Sequence, residues 1–179
     1  MKRLFVGLNV PEEISSALAS IQFGVRGARW ISPEYFHLTL CFIGEVNNRV
    51  VDDTVEILEG INQNSFSLKL MGVNHFGTKG RMRSLWVGIE KNPTLLFLQK
   101  KISSALIRNN VPADRREFNP HVTVAKLRNT PVEDISRYEQ ENNLFKSNSF
   151  TVTYYTVFES YLKRSTPIYT PLKEIPLIE

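Results

Sequence analysis

FHLTLCFIG (Phe36–Gly44) is an apolar run of strand length that carries a histidine. Side chains along a β-strand alternate between its two faces. Leu38 and Leu40 therefore share one face, and His37 and Thr39 share the other. A histidine in a core must find partners for two ring nitrogens. One such residue would carry little weight, but the same pattern returns in FNPHVTVAKL (Phe118–Leu127), where His121 and Thr123 oppose Val122 and Val124. Each strand is expected to pack its aliphatic face into a core and to turn an imidazole and a hydroxyl toward a cleft.

The recurrence extends along the chain. HLTL (His37–Leu40) and HVTV (His121–Val124) are 84 residues apart, as are SFSL (Ser65–Leu68) and SFTV (Ser149–Val152). LFVGL (Leu4–Leu8) returns as LWVGI (Leu85–Ile89) after 81 residues, and ISSAL (Ile14–Leu18) returns unchanged at Ile102–Leu106 after 88. Four matches in one order predict a duplicated molecule whose halves, about 1–84 and 85–179, form one domain. Each half reads as strand, helix, histidine strand, helix, strand. Helices are expected from Pro11 to about Phe23, from Asn47–Asn48 onward, from Pro93 to about Asn109 and from Pro131 to about Asn142. Strands are expected at Arg3–Asn9, Arg29–Ile31, Phe66–Val73 and Leu85–Ile89, and near Phe150–Tyr155, Val157–Leu162 and Ile168–Leu172. The predicted fold is α+β, bilobal and pseudo-two-fold, with two antiparallel sheets facing a central cleft and helices outside.

With 42% hydrophobic and 22% charged residues, the 179-residue chain has the composition of an ordinary globular protein. No apolar run approaches the length of a membrane-spanning helix. The N-terminal apolar stretch runs into Pro11-Glu12-Glu13 and reads as a strand rather than a secretory leader. A single cysteine, Cys41, excludes an internal disulfide and suits a reducing compartment, so a cytoplasmic location is expected, and the chain is separately expected to be a monomer. The net charge of +4 is compatible with a polyanionic substrate without requiring one.

Two imidazoles facing two hydroxyls across a cleft suit displacement at a phosphodiester. Histidine titrates near neutrality, so one ring can act as base while the other acts as acid. The hydroxyls of Thr39 and Thr123 can donate to phosphate oxygens and hold the phosphorus between the rings. Positioning and charge stabilisation carry much of such a reaction, so no metal or other cofactor is expected. The pattern does not say which histidine plays which part.

Other features are weaker. His75 has Glu159 at its repeat position and reads as structural or peripheral. Cys41 falls on the His37 face by parity, yet in so apolar a strand it reads as a core filler. GTKGRMR (Gly77–Arg83) lacks phosphate-loop spacing and reads as a solvated hairpin turn whose cations could touch a nucleic-acid backbone. Asp114-Arg115-Arg116-Glu117 reads as an exposed loop. Three histidines and one cysteine show no metal-ligand spacing.

The paired HxTx motifs resemble those of the 2H phosphoesterase superfamily. The stretches RLFVGLNVPEEI, RWISPEYFHLTLCFIGEV, FNPHVTVAKL and FESYLKRSTPIYTPLKEIPL are similar to the RNA 2′,3′-cyclic phosphodiesterases, also called 2′-5′ RNA ligases. The resemblance implies metal-independent hydrolysis of RNA 2′,3′-cyclic phosphate ends, or of nucleotides bearing them, to 2′-phosphomonoesters. It implies His37 as proton donor, His121 as proton acceptor, and Thr39 and Thr123 as phosphate ligands. Relatives often carry an arginine where this chain has Lys126, a substrate-binding candidate that parity places on the face opposite His121 and Thr123 unless the strand bends. A lysine there gives up bidentate contacts. Three alternatives stay open: ligation of 2′-5′ ends, a phosphodiesterase for 2′-5′ oligonucleotides or small cyclic nucleotides, and a non-catalytic RNA-binding module.

Overall fold

The computed structural model describes residues 1–164 and 166–179. The strands are β1 (Lys2–Asn9), β2 (Ala28–Trp30), β3 (His37–Val46), β4 (Phe66–Leu68), β5 (Leu70–Thr78), β6 (Arg81–Ile89), β7 (His121–Leu127), β8 (Phe150–Val152), β9 (Tyr154–Lys163) and β10 (Thr166–Pro176). The helices are α1 (Glu12–Ala19), α2 (Asn48–Glu59), α3 (Pro93–Arg108) and α4 (Val132–Asn142), with one 3-10 turn at Pro33–Tyr35.

Two antiparallel sheets, β10-β9-β1-β3 and β7-β6-β5, meet at the edges of β3 and β7 and so run on as one eight-stranded sheet, with β2 added to β7. Their junction is a single residue pair, Leu38 opposite Val122. A separate ribbon pairs β4 with β8 and sets Ser67 opposite Thr151. In both places a residue faces its own repeat counterpart 84 positions later. An antiparallel pair in which i meets i+84 lies on the two-fold axis relating the halves, so the pseudo-symmetry axis passes through both junctions.

The repeated motifs supply equivalent core residues. Ile14 and Leu18 of α1 and Ile102 and Leu106 of α3, each pair one helical turn apart, are at most 2% exposed. They pack with Leu38, Leu40, Val122 and Val124 from the histidine strands. Asn47 and Asn92 cap α2 and α3, their side chains accepting from the backbone N–H of Val50 and Leu95.

Several boundaries differ from expectation. Helix α1 stops at Ala19, short of Phe23. The expected Phe66–Val73 strand is divided, because β4 pairs with β8 on the axis while β5 pairs with β6. The hairpin turn expected within Gly77–Arg83 narrows to Lys79 and Gly80, with Gly80 at φ +84° supplying its left-handed residue.

Both histidine strands are bulged at one repeat-equivalent place. In β3 the partners of β1 skip Leu40, so Leu40 and Cys41 both point inward. In β7 the partners of β6 skip Val124, and Val124 and Ala125 both point inward. Side chains beyond each bulge change face. This corrects two parity readings: Cys41 leaves the His37 face for the core, and Lys126 joins the face of His121 and Thr123.

Candidate active site

The faces of β3 and β7 turned away from the helices enclose a cleft of about 520 Å³. His37, Thr39, His121, Thr123 and Lys126, all singled out in the sequence, line it together. His75 lies apart. Its Nδ1 is 2.5 Å from Oε1 of Glu139 and ties β5 to α4.

The two imidazoles are held in the same way. Nδ1 of His37 lies 2.8 Å from the carbonyl oxygen of Tyr35, and Nδ1 of His121 lies 2.6 Å from that of Asn119. A carbonyl only accepts, so each Nδ1 carries the proton and donates. Each Nε2 is thereby left as the group that gives or takes a proton. The two carbonyls belong to residues 84 apart, so the tautomer lock is duplicated with the motif.

Aromatic rings wall in both imidazoles. His37 lies 4.8 Å from the Phe5 ring and 4.8 Å from the edge-on ring of Tyr169. His121 lies 5.0 Å from Phe76 and 5.5 Å from Trp86. Burial is the main cause that lowers the pKa of each histidine below the ordinary 6.5, and the bonds to Tyr35 and Asn119 partly offset it. The positive charges of His121 and Lys126 add to the lowering at His37, and Lys126 does the same at His121. The rings are thus close enough for one charge to disfavour the other. Two such groups titrate as a pair in which a proton on one ring disfavours a proton on the other.

Lys126 is itself lowered, by partial burial and then by Arg83 and Arg29, although much of its side chain stays exposed. Cys41 lies in the core, where burial pushes its thiol up to about 11, far from a nucleophile's range.

The carbonyls displaced by the bulges are recovered by glutamine. Gln99 Nε2 donates to Leu40 O at 3.3 Å, and Gln22 Nε2 donates to Val124 O at 3.0 Å and Ile31 O at 2.7 Å. Sequence reasoning missed these two residues, and also Phe42 and Tyr169, which line the cleft, whereas Arg83, which lines it too, belongs to the Gly77–Arg83 stretch whose cations were singled out. The repeat carried a signal for Phe42, which stands 84 residues before Lys126, is 50% exposed and faces the cleft for the same reason. Tyr169 comes from β10, three strands from β3, and no local pattern points to it.

Among the described residues, no three His, Cys, Asp or Glu side chains cluster so as to hold a metal ion. No helix of the described residues is long and apolar enough to cross a membrane.

The family model described as LigT like phosphoesterase matches the chain twice, at residues 8–86 and 87–169. An RNA 2′,3′-cyclic phosphodiesterase of Thermotoga maritima is 28% identical over 96% of this chain and 94% of its own. One from Aeropyrum pernix is 31% identical over 81% of this chain and 84% of its own. Among solved structures, Escherichia coli LigT complexed with 3′-AMP superposes with a TM-score of 0.80 at 26% identity, covering 99% of both chains.

Proposed function

Because the chain belongs to the LigT-like phosphoesterase family, we propose that it hydrolyses the 2′,3′-cyclic phosphodiester at RNA ends to a 2′-phosphomonoester. The observation that carries this reading is the matched pair of imidazoles across the pseudo-two-fold axis, each with Nδ1–H given to a carbonyl two residues upstream. The names of the relatives support the substrate class.

In the proposed reaction His121 Nε2 takes a proton from water, whose oxygen attacks phosphorus in line with the bond to O3′. As the P–O3′ bond breaks, His37 Nε2–H gives its proton to O3′. The products are a free 3′-hydroxyl and a 2′-phosphate, and the two histidines end with their protonation states exchanged. Thr39 and Thr123 donate to the non-bridging oxygens, and Lys126 adds charge opposite the phosphate. Assignment of acid to His37 and base to His121 follows the resemblance. Both halves act as one domain in this reading, since each contributes one histidine and one threonine. With a 5′-hydroxyl in place of water, the same groups would take its proton at His121, bond O5′ to phosphorus and release O3′ with the proton of His37, leaving a 2′-5′ linkage, so product analysis decides between hydrolysis and ligation.

The test is turnover of 2′,3′-cyclic mononucleotides, cyclic-phosphate RNA and 2′-5′-linked oligomers, with chelator present. His37→Ala and His121→Ala are each expected to lose about 10²–10⁴-fold in kcat, with an unchanged circular dichroism spectrum. Full activity of the His121→Ala protein refutes the mechanism. RNA binding without turnover by the native protein would leave the non-catalytic binding module.

A further inference from the structure

The sheets are alike in frame and unlike in charge. Strands β2, β5, β6 and β7 carry four basic residues, Arg29, Arg81, Arg83 and Lys126, and no Asp or Glu. Strands β1, β3, β9 and β10 carry four basic residues and also Glu45, Glu159 and Glu174. There Lys2 is paired with Glu159, and Lys173 with Glu59. Among the described residues none of the four cations of the first group has a carboxylate within salt-bridge distance.

Pairing register puts these cations side by side. Lys126 of β7 stands opposite Arg29 of β2 on one side and opposite Ser84, the neighbour of Arg83, on the other. Adjacent strands are about 4.8 Å apart, so Arg29 and the Arg83 strand flank Lys126 within about 10 Å of each other. Arg81 and Arg83 are exposed with Met82 buried between them, so they share a face, and Arg83 lines the cleft. The band has a direction. His121 faces Gly88, Thr123 faces Trp86 and Lys126 faces Ser84, so Arg81 lies further along the line that leads away from His121. The corresponding place in the other half holds Phe42, whose carbonyl accepts from the N–H of Asp114. Asp114 is in turn paired with Arg116. One wall of the cleft therefore carries free cations, and the other carries an aromatic ring and a neutralised pair.

We propose that Arg81, Arg83, Lys126 and Arg29 form a track for the phosphodiester backbone of a single-stranded RNA whose 3′ end lies at the histidine pair. The substrate is then an oligonucleotide in preference to a mononucleotide, with the phosphates 5′ of the reacting group passing along β6, β7 and β2. This rests on the functional reading of the cleft given above. A row of unpaired cations is the feature a polyanion uses, because each neutralised phosphate releases counterions.

The experiment uses the double substitution Arg29→Gln with Arg81→Gln, two exposed residues outside the cleft lining. The substrates are a 2′,3′-cyclic mononucleotide and a short single-stranded RNA ending in a 2′,3′-cyclic phosphate. The variant is expected to keep mononucleotide kcat/KM within about twofold and to lose roughly tenfold on the RNA at low salt, with a log–log salt dependence shallower by about 1.4 for two lost phosphate contacts. Equal losses on both substrates, or none on the RNA, overturn the track. If the native protein turns over neither substrate, the catalytic reading fails by itself. The track is then judged by fluorescence anisotropy with a 3′-phosphorylated RNA of the same sequence, where equal affinity and equal salt slope in native and variant proteins overturn it. Displacement of that RNA by polyglutamate at matched charge would assign the band to acidic polypeptides and overturn it as well.

Discussion

Gln22→Met removes one donor from the place where β7 changes face, and its cost can be worked from the contacts. The glutamine amide donates to Ile31 O at 2.7 Å and to Val124 O at 3.0 Å. Val124 O keeps a second donor, the Ile31 N–H at 2.9 Å, so Ile31 O bears most of the loss. Methionine preserves length and packing but cannot donate. Stranding one half-buried acceptor costs about 1–3 kcal/mol. At about 2 kcal/mol, a chain of this size should lose about 4–8 °C in Tm. Gln99→Met is the control: its single bond to Leu40 O is long, at 3.3 Å, and its removal should cost about 1 kcal/mol or less. Scanning calorimetry reads both values. Because the bulge is what turns Lys126 into the cleft, Gln22→Met should also lower kcat/KM, and the loss should vanish in a Lys126→Met background. A Tm change below about 2 °C, or an activity loss that adds fully to that of Lys126→Met, would refute the role given to the glutamine.

Both cleft histidines have lowered pKa values, so the unfolded chain binds protons that the folded chain does not. Their contribution to stability is whole above the unfolded value of 6.5 and is lost as pH falls through 6.5 toward the folded values. A His37→Asn/His121→Asn protein should therefore lose less denaturant stability between pH 7.5 and pH 5.5, taken here as about one unit on each side of the ordinary histidine pKa, and an unchanged loss would count against the burial. Tyr155 is fully buried and donates its hydroxyl to Leu58 O at 2.7 Å near the end of α2. Tyr155→Phe should cost about 1–2 kcal/mol in urea unfolding with native activity retained.

The duplicated frame and the histidine pair were legible because duplication copies letters. Motifs that recur in one order, 81 to 88 residues apart, place equivalent residues without any knowledge of the sheet. Faces were harder. Strand parity assigns sides only while both strands of a ladder advance together, and a bulge breaks that condition. In β3 and β7 the extra residue is visible only against the partner strand, since Leu40-Cys41 and Val124-Ala125 look like uninterrupted apolar sequence. Parity consequently misplaced Cys41 and Lys126, and it hid Phe42. The glutamines that satisfy the bulge carbonyls come from the region after α1 and from α3, so their purpose depends on tertiary contact. Tyr169 reaches His37 from a β10 position fixed only by sheet order.

Pseudo-symmetry poses a chemical difficulty, because an acid and a base must differ. The frame makes the two imidazoles equivalent in strand, bulge, threonine neighbour and carbonyl partner. The difference comes from what the two halves mount on that frame. His37 is packed by Phe5 and the edge of Tyr169 and His121 by Phe76 and Trp86, but of the two only His121 shares its strand with an ammonium group, at Lys126. Where β7 turns a lysine into the cleft, β3 turns Phe42. A cation beside His121 favours its neutral form, which is the form a base must start in. The same charge also lowers His37, so in the proposed reaction His37 serves as the acid once an anion enters the cleft and offsets burial and the cations together. Phosphate is such an anion. In this account the substrate completes the asymmetry: an empty cleft disfavours the protonated acid, and binding of the phosphate restores it.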